Sequence, residues 1–215
     1  MKGVPLNEEL YNYIVDIFAA EDDILKSVVK NTGTLKIPLI QISPELGKFL
    51  QILIKSIKAK RILEIGTLTG YSSIWMARAL PDGGKLTTLE ISKDHYEEAK
   101  KNFQKAGLTE KIEIIFGSAS ESLDKFKDEK FDFAFIDADK TGYPAYFDKV
   151  IGMMNPGGII AADNTLRDGA VVKPDTELDE GTKAVNVYNK KVASDPRVDS
   201  LLIPISDGLT ICYVK

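Results

Sequence analysis

The stretch Arg61-Ile62-Leu63-Glu64-Ile65-Gly66-Thr67-Leu68-Thr69-Gly70-Tyr71-Ser72-Ser73 decides the fold. The apolar run Ile62, Leu63 and Ile65 reads as a parallel strand buried on both faces. It breaks at Gly66 into a short loop that holds Gly70, and a helical pattern begins at Ser72. A strand, a glycine turn and a helix in that order open an α/β sheet whose ligand sits outside the carboxyl ends of the strands. The loop spells Gly-x-x-x-Gly, so the middle glycine that lets a dinucleotide binder approach a pyrophosphate is missing. Glu64, read as closing the strand with its carboxylate toward the ligand, repels phosphates and suits a cation such as the sulfonium and ammonium of S-adenosylmethionine. Glu90 closes the run from Lys85, twenty residues after Gly70, where an acid takes the hydroxyls of an adenosine ribose. That placement suits NAD equally and leaves a nicotinamide-dependent dehydrogenase as an alternative.

Outward from this stretch the chain alternates regularly, as parallel strands joined by crossover helices do. Helix is expected over 71–80, strand over 85–90, helix over 93–106 stopped at Gly107, and strand over 112–116. Ser118-Ala119-Ser120-Glu121 has the form of a capping box opening the next helix. Strands over 131–136 and 158–162 end abruptly in Asp137-Ala138-Asp139-Lys140 and Asp163-Asn164, with a helix over 143–154 between them. Residues 165–181 lack periodicity and are rich in Asp, Gly and Pro, as binding loops are. A helix over 182–193 and an antiparallel hairpin over 198–205 and 209–214 finish the chain. Toward the N-terminus, 7–30 is helical in spacing, and Ser43-Pro44-Glu45 announces a helix to about Ile57. The expectation is one α/β domain over 1–215, a helical extension over 1–40 preceding a core over 41–215. Its sheet is Rossmann-like and mostly parallel, with helices on both faces and a C-terminal antiparallel hairpin.

Ile62-Leu-Glu-Ile-Gly-Thr-x-Thr-Gly-Tyr-Ser-Ser73, Phe131-Asp-Phe-Ala-Phe-Ile-Asp-Ala-Asp-Lys140 and Ala162-Asp-Asn164 together resemble the cation-dependent S-adenosylmethionine O-methyltransferases. This is the family of the caffeoyl-CoA and catechol O-methyltransferases. The likeness runs from about Gln41 to the C-terminus. It implies the seven-stranded class I methyltransferase fold and a homodimer. It places the cofactor on Ile42, Glu64, Gly66, Thr67, Gly70, Tyr71, Ser72, Glu90, Ile91, Ser118, Ala119, Asp137, Asp139 and Tyr146. In this scheme the strip from Ile40 to Ser43 lies over the methionine end, and the small Ala119 leaves room for the adenine. Unassisted, Asp139 reads as a helix cap. The acceptors implied are catechols, hydroxycinnamoyl-CoA esters or, as an alternative, the 5-hydroxyuridine of transfer RNA.

Asp137, Asp163 and Asn164 offer three hard oxygen donors with no cysteine nearby, a set that points to Mg2+, or else Mn2+ or Ca2+, rather than zinc or copper. A cation with open positions suits two neighbouring hydroxyls of an aromatic and favours their oxyanion. Lys140, beside the cluster, is placed to take the proton or hold the anion. Asp137 and Lys140 are therefore the expected catalytic pair. Residues 165–181, Arg167 and Arg197 are the expected determinants of the acceptor.

Other constellations fail. The one histidine, His95, reads as an exposed residue of a charged helix, which leaves no Ser-His-Asp triad. Cys212 and Trp75 read as packing residues. With one cysteine there is no intrachain disulfide, and the N-terminus lacks the apolar core of a signal peptide, so cytoplasm is the expected compartment. The net charge of −4 argues against a broad nucleic-acid surface, and Lys55, Lys58, Lys60 and Arg61 read as a solvated helix end. No apolar run is long enough to span a membrane.

Overall fold

The computed structural model describes residues 6–215. Strand β1 (Arg61–Ile65) lies between β2 (Lys85–Glu90) and β4 (Phe131–Ile136), both parallel to it. With β3 (Ile112–Phe116), β5 (Met154–Ala162), β6 (Val198–Ile203) and β7 (Leu209–Val214) they form one seven-stranded sheet in the order β3-β2-β1-β4-β5-β7-β6. Only β7 runs against the rest, because it pairs antiparallel with both β5 and β6. The strand order reverses between β1 and β4, so the loops leaving these two strands diverge and open a crevice at the carboxyl edge.

Side chains alternate across the sheet and feed two cores. Ile62, Leu86, Phe133, Phe135 and Ile159 pack on one face against α3 (Pro44–Ser56), α4 (Tyr71–Ala77) and α5 (Lys93–Lys105). Leu63, Ile65, Ala134, Ile136 and Ile160 pack on the other against α6 (Ala119–Asp124), α7 (Tyr143–Gly152) and α8 (Glu180–Ser194). Trp75 and Cys212 are buried packing residues, as read from the sequence. No helix among the described residues is long and apolar enough to cross a membrane.

The stretch of helical spacing near the N-terminus forms two helices. Asn7 caps α1 (Glu8–Phe18) by accepting from the Leu10 N–H at 2.9 Å, and Asp22 caps α2 (Asp23–Thr34) by accepting from Leu25 at 3.0 Å. Two separate caps require two starts. These helices are stitched to the glycine loop: Thr32 Oγ1 lies 2.7 Å from Thr69 Oγ1, and the Tyr71 hydroxyl donates to Glu21 at 2.7 Å. Two serine caps expected from the sequence do not form. Ser43 turns instead to Glu45 Oε1 at 2.6 Å. Ser118 holds the cap position of α6 without a side-chain bond, so the capping box is absent. The segment after β5 is also less irregular than expected. It carries short 3-10 turns at Arg167–Val172 and Asp175–Glu177, and α8 begins at Glu180 on an Asp179 cap.

One glycine is required by the crossing itself. Gly66 has φ +97°, and a Cβ there would fall 2.0 Å from the Asp137 carbonyl oxygen. Gly66→Ala is therefore expected to cost at least about 2 kcal/mol, since strain and a backbone collision add. Gly107→Ala, with φ +68° and nothing within 4 Å, should cost only about 1 kcal/mol. Urea unfolding of the two variants checks the difference.

Candidate active site

The crevice encloses about 930 Å³ over the carboxyl ends of β1, β2, β4 and β5. From one side Gly66, Thr67, Tyr71 and Ser72 line it, and from another Glu90 and Ile91. Ile42, Ser118, Ala119, Asp137, Asp139, Lys140, Tyr146 and Asn164 line it as well. Most of the residues expected at a cofactor site thus share one cavity. Glu90, only 6 % exposed, accepts the N–H groups of Thr67 at 3.2 Å, Leu68 at 2.8 Å and Ser92 at 2.8 Å. Its carboxylate therefore shapes the glycine loop before any ligand arrives.

Glu64 departs from the expectation. It is fully buried beneath the loop and accepts from Ser72 Oγ at 2.5 Å and from Ser73 Oγ, away from the crevice. Burial pushes its carboxyl up to about 7 against the pull of those hydroxyls. Glu64 does not line the crevice itself, and through these two hydroxyls it pins the start of α4, whose Ser72 does. Gly70 likewise lies behind the wall, against Phe103. Asp139 behaves as the cap read from the sequence, accepting from the Gly142 N–H at 3.0 Å, and it also accepts from the Tyr146 hydroxyl.

At the ends of β4 and β5, Asp137 and Asp163 sit side by side, the Asp163 N–H donating to Ile136 O at 3.1 Å. Lys140 Nζ donates to Asp137 Oδ1 at 2.9 Å and to the Tyr143 hydroxyl at 2.7 Å, and that hydroxyl donates onward to Asp163 O at 3.0 Å. Burial, together with the charges of Asp137 and Asp163, keeps the Tyr143 phenol protonated, so it serves as a fixed relay point. Asp163 is 2 % exposed and its Oδ1 has no hydrogen-bond partner. Burial and the Asp137 charge, with Asp207 adding, push its carboxyl well above the usual carboxylate range. An unpaired buried carboxylate oxygen facing a second carboxylate is costly unless a cation compensates it. Asn164 follows with φ +54°. Two carboxylates and an amide are the donor types that a hard divalent ion takes. Among the described residues no group of three or more His, Cys, Asp or Glu side chains could hold a metal.

Several wall residues escaped the sequence reading. His95, expected to be solvent-facing, lines the crevice with Nδ1 3.6 Å from Glu90 Oε1. The signal was its place in the first turn of the helix that leaves β2. Asp207 also lines it, because β6 runs parallel to β5 and its turn emerges at the same edge. Arg167, expected as an acceptor determinant, lines the wall together with Asp168 of the segment 165–181. Arg197 does not: it precedes β6 at the opposite edge, bonded to Asp195 at 2.6 Å.

A family model described as O-methyltransferase matches residues 15–215. A catechol O-methyltransferase of Niastella koreensis is 38 % identical over 97 % of both chains. A caffeoyl-CoA O-methyltransferase of Stellaria longipes is 36 % identical over 98 % of this chain and 92 % of its own. Among solved structures, an O-methyltransferase of Bacillus cereus in complex with SAH superposes with TM-score 0.90 and 36 % identity, covering 95 % of this chain and 96 % of that one. An O-methyltransferase of Streptomyces achromogenes involved in tomaymycin synthesis, in complex with SAM, gives 0.88 and 32 % over 94 % of each.

The raised carboxyls set a pH dependence. A carboxyl whose folded pKa is raised favours folding only while protonated, so stability falls as pH climbs from the unfolded value through the folded one. Asp22, Asp132, Asp179 and Asp195, with lowered values, act below about pH 4. Without added cation, stability should decline between about pH 4.5 and 7. Glu64→Gln should remove a share of that decline on the order of 3 kcal/mol. Urea unfolding across this range checks it, and an unchanged slope in the variant contradicts it.

Proposed function

The chain belongs to the O-methyltransferase family and is an S-adenosylmethionine-dependent enzyme, and on that premise we propose that it methylates one hydroxyl of a vicinal dihydroxy aromatic, or of its CoA ester, with a divalent cation on Asp137, Asp163 and Asn164. The dehydrogenase alternative closes with that membership. The observation that carries the reading is the buried, unpartnered Asp163 Oδ1 beside Asp137, at the strand ends that flank the glycine loop.

S-adenosylmethionine supplies a methyl group on a sulfonium, poised for displacement. Mg2+, or else Mn2+ or Ca2+, would neutralise the paired carboxylates and lower the pKa of a hydroxyl sharing its coordination. The chain's own residues do the positioning. Glu90, with three backbone donors already in place, retains a lone pair for a ribose hydroxyl. Asp139, held by Tyr146, offers a carboxylate to the donor's ammonium. Lys140 has two donors engaged and a third N–H free to hold the acceptor oxygen once its proton has passed to water in the open crevice. The methyl then passes in line from sulfur to oxygen, and a neutral thioether departs. Near-attack placement of the two supplies several kcal/mol of the acceleration, on the order of the gain from proximity in general.

Arg167 and Asp168 put the segment after β5 against the acceptor end, so exchanging 165–181 should alter substrate preference and leave cofactor affinity unchanged. The homodimer implied by resemblance is proposed across β7 and β6. Their apolar face leaves Leu201 66 % and Tyr213 48 % exposed. Sedimentation equilibrium should give twice 23.7 kDa, and Leu201→Asp should return the monomer. The decisive experiment is a labelled-methyl screen over catechols, hydroxycinnamoyl-CoA esters and unmodified transfer RNA, with Mg2+ or with a chelator. Catechol-type acceptors should be methylated, and chelation should cut kcat/KM by at least about 1000-fold. Full activity with chelator would remove the cation, and methylation of transfer RNA alone would replace the acceptor.

A further inference from the structure

The chain leaving β5 is bent in an unusual way. Asn164, Arg167 and Asp168 all adopt left-handed backbone, with φ +54°, +52° and +51°. Non-glycine residues resist that conformation, and a cluster of them persists only where surrounding structure over-determines it. What over-determines it here is the turn between β6 and β7. The Thr165 N–H and Oγ1 both donate to Gly208 O at 2.9 Å, and the Leu166 N–H donates to Asp207 O at 2.9 Å. Asp207 Oδ1 then accepts the Asp168 N–H at 2.6 Å. Gly208 is pressed so closely on Leu166 that a Cβ there would lie 2.8 Å from its backbone nitrogen.

Three of these four bonds use backbone or Thr165 atoms. The fourth needs a side chain at 207, and it is the one that reaches Asp168, the last of the three left-handed non-glycine residues. We infer that Asp207 is a positioning residue: by holding the Asp168 amide it fixes the bent segment 164–168, in which Asn164, Arg167 and Asp168 are left-handed, and so the direction of the Asn164 amide and of Arg167. The C-terminal hairpin, remote in sequence, thereby sets the third donor of the cation site and the wall against the acceptor. This rests on the proposed cation site, but its clamp can be read without the cation.

Two variants separate the possibilities. Asp207→Asn keeps an oxygen acceptor and loses the charge, whereas Asp207→Ala loses both. Mn2+ binding to purified protein, followed by the loss of the free-ion EPR signal without donor or acceptor, should weaken about tenfold in Asp207→Ala and stay within about twofold in Asp207→Asn. S-adenosylmethionine affinity should hold within about twofold in both. Amide hydrogen exchange at 165–168 should accelerate in Asp207→Ala alone, and this readout needs no metal. Unchanged exchange or unchanged Mn2+ affinity in Asp207→Ala overturns the inference while leaving the cation site standing. Equal weakening in Asp207→Asn overturns it in favour of a charge effect, and parallel loss of cofactor affinity overturns it in favour of general unfolding. A native protein that binds no Mn2+ removes the cation reading together with the part of the inference that depends on it.

Discussion

Everything at the carboxyl edge depends on how closely the turn after β1 approaches the turn after β4. Gly66 presents bare backbone to the Asp137 carbonyl, with no room for a side chain between them. The Asp137 N–H in turn donates to Ile65 O at 2.9 Å. This contact sets the glycine loop, which frames the cofactor pocket, directly beside the carboxylate that leads the proposed cation set. A methyl donor and an acceptor oxygen have to meet within van der Waals distance for in-line transfer. The parallel register of β1 and β4 sets the glycine loop beside Asp137 before either ligand binds.

Two buried carboxylates at this edge illustrate opposite uses of the same chemistry. Glu64 is satisfied by Ser72 and Ser73 and works as a structural rivet under the loop. Asp163 is equally buried, yet one of its oxygens has no partner and its neighbour carries the same charge. Desolvation raises both. Only the second leaves a need that a ligand can fill, so hydrogen-bond satisfaction, more than burial, separates scaffold from site.

Much of this was legible in the sequence. Residues 85–90, 112–116 and 131–136 form strands with the limits their apolar runs suggest, because parallel strands buried on both faces leave a continuous signal. Asp137, Asp163 and Asn164 come together because acids that end adjacent parallel strands must emerge on one edge. Direction of a single side chain was less legible. Glu64 alternates to the buried side, and the hydroxyls that claim it come from α4, eight and nine residues on. His95 and Asp207 reach the crevice through helix placement and strand order, which local pattern does not carry. Ser43 and Ser118 had the right type and position for caps, but Glu45 competes for the first. The structure offers no physical reason for the second.

The stitches between α2 and the glycine loop have a bearing on how the chain assembles. Thr32 finds Thr69 across 37 residues, and Glu21 finds Tyr71 across 50. During synthesis the helices emerge first, and these two bonds cannot form until β1 and α4 have left the ribosome. α1 buries no residue of its own, and Tyr13, Ile17 and Phe18 stay exposed even in the folded chain. Completion of the glycine loop is thus the event that fastens the N-terminal helices, and the newborn protein acquires this attachment late rather than early.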